Sequence, residues 1–126
     1  MLSQFTPVAA LPTADLSTAR GFYEGTLGFA PREVMGGVAY ECGDGMVLVY
    51  ESAYAGTNRA TAVNFDVPQS VFDDEIGTLR EKGVTFTTFE LEGADWNEGV
   101  ASAGDTKGVW FADPDGNIIN VSTGAM

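Results

Sequence analysis

The sequence predicts an α+β fold: one domain holding two copies of a βαβββ module, over about residues 5–52 and 60–123. Three observations carry that expectation. At 126 residues the chain can bury one core but not two independent ones. The order strand, helix, strands recurs after a stretch of linker composition, residues 52–60, as a repeat of pattern with little identity between the copies. Finally, Asp113-Pro114-Asp115-Gly116 stands between two apolar, β-prone runs, 107–112 and 117–122. Pro114 pre-sets φ for the first central turn position, Asp115 tolerates the second, and Gly116 takes the positive φ of a type I turn followed by a bulge.

In the first module, residues 7–12 read as a strand opened by Pro7 and ended or disturbed by Pro12. Asp15 can cap the helix that follows, in which Leu16, Ala19, Tyr23 and Leu27 fall on one stripe, Phe22 widens it, and Gly28 supplies the stop. Phe22 and Tyr23 are read as core. Strands are expected at 29–35, 37–42 and 45–51, with Gly36-Gly37 and Gly43-Asp44-Gly45 as turns.

The second module begins with a clean alternation, Val63, Phe65 and Val67 on one face and Ala62, Asn64 and Asp66 on the other. A helix over about Pro68–Lys82 buries Phe72, Ile76 and Leu79 and stops at Gly83. Strands at 84–89, about 98–102, 107–112 and 117–122 complete the unit. Residues 89–98 carry four carboxylates and Trp96 and lose strand character after Leu91.

Eighteen acidic side chains against six basic ones give a net charge of −12, which disfavours nucleic acid and anionic membrane as partners. Such a field attracts a cationic ligand or simply keeps the chain soluble. There is no histidine, which removes the commonest general base and metal ligand. The single cysteine, Cys42, reads as a small buried strand residue. No apolar run approaches a membrane span, and the N-terminus has no basic region followed by a hydrophobic core, so a cytoplasmic protein is expected. Without histidine no serine or cysteine nucleophile has its usual base, and no glycine loop precedes a helix in a phosphate-binding pattern.

Phe-x-Asp-Pro-Asp-Gly-Asn at 111–117, followed by a short apolar strand, resembles the closing hairpin of the vicinal oxygen chelate superfamily of glyoxalases, extradiol dioxygenases and bleomycin-type resistance proteins. Leu11-Pro12-Thr13-Ala14-Asp15-Leu16, leading into a helix with Phe22-Tyr23 and then Leu27-Gly28-Phe29, resembles that family's first strand and helix. The resemblance implies two curled mixed sheets around a cleft with helices outside, and a homodimer in which modules of different chains complete each site. Metal-dependent members supply four His or Glu ligands, two from each module. Carried over by motif, those positions fall at Val8, near Val47, at Ala62 and at Asn120. Two valines, an alanine and an amide hold no divalent ion, so neither metal nor other cofactor is expected. A compensating carboxylate site would have to draw on Glu41, Glu51 or Glu98.

What remains is a cleft read as a small-molecule pocket. With a one-residue bulge at Gly116, Trp110 lies opposite Asn120. Asn64, Asp66 and Ala62 would join them from one strand, and Val47, Val49 and Glu51 from another. Trp96, on a loop over the mouth, would be a flat contact for a planar ligand, with Asp95 and Glu98 meeting cationic groups. The function expected is metal-independent binding of a small organic molecule, cationic or planar aromatic, as in drug sequestration. The alternatives are a lyase, isomerase or oxygenase with a displaced carboxylate metal site or with Glu51 or Asp66 as base, and a protein-interaction module whose cleft has closed.

Overall fold

The computed structural model describes residues 1–124. β1 (Ala9–Thr13) leads into α1 (Leu16–Arg20), which Asp15 caps: its Oδ1 accepts from the Ser17 and Thr18 amides at 3.0 and 3.3 Å. The helix then widens into a π-helical stretch, Gly21–Thr26, closed where the Leu27 amide donates to the Phe22 carbonyl at 2.9 Å. Tyr23 is buried there, edge to face with Phe22 at 5.2 Å, so this pair is core as expected. β2 (Pro31–Val34), β3 (Gly37–Cys42) and β4 (Gly45–Glu51) form an antiparallel meander, and β4 runs parallel to β1. The sheet order is β1-β4-β3-β2.

The second module repeats the rule. β5 (Thr61–Asp66) leads into α2 (Gln69–Glu81), and β6 (Asp95–Asn97), β7 (Val100–Ala103), β8 (Thr106–Ala112) and β9 (Ile118–Ser122) follow, in the order β5-β9-β8-β7-β6. In each sheet the first strand pairs parallel with the last, which requires a crossover, and the helix supplies it. The fold class expected from sequence is the one observed: α+β, with two mixed sheets and two helices among the described residues.

Two expectations about elements are corrected. Residues 84–89 form no strand: Val84 and Phe86 pack on the core, and the Thr87 amide donates to the Trp110 carbonyl at 2.7 Å. The edge of the sheet belongs instead to β6, in the stretch expected to be loop. A two-residue turn makes this possible, Glu98 and Gly99 both having positive φ (50° and 84°). β1, an edge strand bonded only to β4, also runs on through Pro12, which pairs with Tyr50.

One core spans both modules, with Leu11, Tyr23, Tyr40 and Val49 from the first and Phe72, Ile76, Phe111 and Ile119 from the second. Phe29 meets Phe65 at 5.9 Å and Phe22 meets Phe111 at 6.4 Å across the junction. A polar latch sits beside them. The buried Asp113 carboxylate accepts from the Tyr23 hydroxyl (2.6 Å), the Asn117 side-chain amide (2.8 Å) and the backbone amides of Asp115 and Asn117 (2.9 Å each). Asn117 in turn donates to the Pro12 carbonyl at 2.9 Å, and Asp115 accepts from the Ala14 amide at 2.8 Å. The Asp-Pro-Asp-Gly-Asn hairpin thus both turns the chain, with Gly116 at φ 83°, and fastens the second module to the start of the first. No helix among the described residues is long and apolar enough to cross a membrane.

Candidate functional site

Strand pairing puts the polar and aromatic side chains of the second sheet on the face away from its core. Trp96, Ala101, Gly108, Ser122 and Asp66 stand in one row across neighbouring strands, and Trp110, Asn120 and Asn64 in the next. The opposite side of β8 and β9 presents Val109, Phe111, Ile119 and Val121 to the core. Trp110 opposite Asn120 is the register that the bulge at Gly116 requires, as the sequence indicated.

Large rings and very small residues alternate here, and the combination leaves space. Trp110 lies over Gly108, where a Cβ would stand 3.4 Å from its ring and from the Ser122 side chain. Phe89 contacts both tryptophans edge to face, at 4.9 Å from Trp110 and 5.4 Å from Trp96, and the two indoles are 6.0 Å apart. A crevice of about 240 Å³ lies between this face and the 91–94 segment, its lining including Leu91, Ala94, Ala101, Gly108, Trp110, Asn120, Ser122 and one charged residue, Lys107. A wider recess of about 590 Å³ adjoins it, with Phe89, Glu90, Glu92 and Trp96 around the same Leu91 and Ala94. Asn120 is buried and held in place: its Nδ2 donates to the Val109 carbonyl at 3.0 Å and its Oδ1 accepts from the Ser122 hydroxyl at 3.1 Å. The small-residue positions Ala101, Gly108 and Ser122 were not singled out from sequence. Only strand register lines them up beside the tryptophans.

The remaining expected site residues divide. Val8, about half exposed, lines a separate recess of about 600 Å³ with Asn64 and Asp66, where β1, β4 and β5 adjoin. Val47 reaches that recess but is 3 % exposed, and Val49, at 1 %, belongs wholly to the core. Both pair with core residues, Val47 with Tyr40 and Val49 with Leu11 and Val38, so the inner face of β4 is the reverse of the one expected. Met46, Leu48 and Tyr50 occupy the other face. Glu51 is exposed at the end of β4, level with Thr13 and away from the tryptophan crevice. Ala62 sits at a register shift between Thr61 and Val63 and packs against the core, so the bulge breaks the alternation that would have put it beside Asn64. Asp66 is exposed, as is Glu51, so neither carboxylate has the burial that base work near neutrality calls for.

The metal that the resemblance implies does not fit these residues. The positions carried over from it, Val8, Val47, Ala62 and Asn120, are three hydrocarbons and one neutral amide, and the outward neighbours Leu48 and Asn64 add only one more of each. Among the described residues no three of His, Cys, Asp and Glu are grouped to hold an ion, so Glu41, Glu51 and Glu98 do not form the compensating site. Glu41 instead pairs loosely with Arg32, at 4.0 Å.

The displaced titrations lie in the core of the first module, away from the crevice. Burial, reinforced by the hydrogen bond to Asp113, holds the Tyr23 hydroxyl far above the usual phenol range. Tyr40 is raised in the same way, by burial and then by its 2.9 Å bond to Glu24. The Arg20 guanidinium, 2.7 Å from Glu24, holds that carboxyl below its ordinary value. Burial pushes the Cys42 thiol up.

No protein-family model and no curated protein sequence matches this chain. Solved structures do. Fosfomycin resistance protein FosX from Mesorhizobium loti superposes with a TM-score of 0.69 at 15% identity, over 100% of this chain and 96% of its own. A glyoxalase/bleomycin resistance protein/dioxygenase from Alicyclobacillus acidocaldarius gives 0.70 at 16%, covering 94% and 90%. An integron cassette protein from the mobile metagenome of Vibrio cholerae gives 0.65 at 25%, covering 96% and 95%. Module repeat, sheet order and these superpositions agree: the chain has the glyoxalase fold.

Proposed function

We propose that this protein binds a planar, cationic small organic molecule against Trp96 and Trp110 and sequesters it without chemical change or a metal. The observation that carries the reading is the row of small residues, Ala101, Gly108 and Ser122, sunk between three aromatic rings. A flat ring system can stack there on apolar surface while Asn120 and Ser122 offer hydrogen-bond groups at one edge. Glu90 and Glu92 at the recess and the net charge of −12 favour a cation, while Lys107 at the crevice is offset by Asp73 at 3.7 Å. A fosfomycin resistance protein among the structural neighbours supports a small toxic molecule as the ligand. The reading includes a homodimer in a reducing compartment. The half-exposed apolar side chains Met46, Leu48 and Tyr50 on the outward face of the first sheet support the dimer, and the unpaired Cys42 the compartment.

The test is a titration with a planar aromatic cation of the acridinium type, followed by tryptophan fluorescence. Saturable quenching, weakened about tenfold or more by Trp110→Leu, with the dye recovered unchanged, is the expected result. Absence of saturable quenching, or equal affinity in the variant, overturns the assignment. Turnover of the ligand would place the chain among the enzymes instead.

A further inference from the structure

On the opposite side of the second sheet, α2 and the end of the first helix do not close completely. They leave a crevice of about 140 Å³ lined by Leu27, Phe29, Phe65, Leu79, Phe111 and Val121, with Val67 beside them. We propose that this crevice is a second small-ligand site, taking a benzene-sized apolar body that carries an ammonium group.

The gap does not collapse because its rings are pinned from behind. Phe29 is held against Tyr23 and Tyr40, at 6.1 and 5.9 Å, and Phe111 against Phe22 and Phe86, at 6.4 and 6.3 Å. None of these rings can swing in without losing its own contacts. Apart from Glu75 the walls are hydrocarbon, so water in this open crevice finds few polar partners and an apolar guest displaces it readily. The volume of about 140 Å³ sets the guest at about the size of benzene. One charged side chain belongs to the lining: Glu75, exposed on α2, in no salt bridge among the described residues. It selects for a cation, against an anion. A benzylamine-like molecule fills the space and meets the carboxylate at once. Because Phe111 and Val121 alternate along their strands with Trp110 and Asn120, the crevice lies across the sheet from the tryptophans and is independent of them.

The experiment is methyl-labelled proton–carbon correlation on the full chain with benzylamine, toluene and benzoate as probes. Benzylamine and toluene are expected to shift the methyls of Leu27, Val67, Leu79 and Val121 saturably, whatever they do to those of Leu91 beside the tryptophans. Benzoate is expected to leave those four residues unmoved. Glu75→Gln, a substitution on the exposed helix surface, should weaken benzylamine about threefold, as loss of an exposed ion pair does, and leave toluene unchanged. Leu79→Phe, which fills the crevice, should abolish both. Shifts confined to Leu91, no saturable shifts, or equal benzylamine affinity in Glu75→Gln overturn the proposal.

Discussion

Asp113 is where a single substitution tests how the two modules are held together. Its carboxylate is 6 % exposed and accepts four hydrogen bonds, one of them from the Tyr23 hydroxyl of the first module. In Asp113→Ala the buried Tyr23 hydroxyl and the buried Asn117 amide lose their acceptor. Each orphaned donor costs about 1–3 kcal/mol, so the variant should lose about 4 kcal/mol, a large share of the roughly 5–15 kcal/mol that holds a domain of this size. Tyr23→Phe removes one donor and leaves the carboxylate three, and should cost about 1.5 kcal/mol. Urea unfolding followed by far-ultraviolet circular dichroism measures both, and the double variant completes a thermodynamic cycle. A coupling of at least about 1 kcal/mol is expected between the two sites. If Asp113→Ala costs less than about 1 kcal/mol, or the two losses simply add, the hairpin is only a turn and the latch carries no energy.

Three further outcomes follow from the same coordinates. Tyr23 and Tyr40 have folded-state values raised above the unfolded phenol value of about 10, so their contribution is complete below that pH and is lost as pH climbs beyond it. Above pH 10 stability should fall by up to about 1.4 kcal/mol per pH unit for each tyrosine, and Tyr23→Phe should reduce the slope measured by urea titration. Gly37→Ala would put a methyl 2.2 Å from the Val49 carbonyl oxygen, so β3 and β4 must part; a loss of about 3 kcal/mol or an unfolded product is expected, and near-native stability would show that the ladder gives way cheaply. Zinc, manganese or magnesium at millimolar concentration should leave Tm within about 1 °C of the metal-free value, because the strand positions offer hydrocarbon and amide; a metal-dependent rise would reveal a carboxylate site.

Much of this was legible before any coordinates. Local chemistry marks the Asp15 cap, the Gly116 turn, and α2 with its Phe72 and Ile76 stripe, because each depends on residues within one or two turns of each other. The β5 alternation likewise put Asn64 and Asp66 on one face correctly. Its failure at Ala62 came from a bulge, which leaves no mark in composition. In β4 every residue from Met46 to Tyr50 is apolar, so period two cannot say which side is core, and the side chosen from sequence was the wrong one. Residues 84–98 show the same limit: Val84 and Phe86 have strand spacing but pack singly, while a Glu98-Gly99 turn makes an edge strand of Asp95–Asn97.

By itself, then, the sequence determined the repeat, the helices and the hairpin, all properties of residue type and short-range spacing. Tertiary structure alone decided that the hairpin carboxylate reaches 90 residues back to Tyr23, and that Gly108 lies beneath Trp110, whose ring meets Phe89 and Trp96. The physical reason is register. A one-residue shift exchanges the two faces of a strand, and only the pairing of distant segments fixes which shift is made.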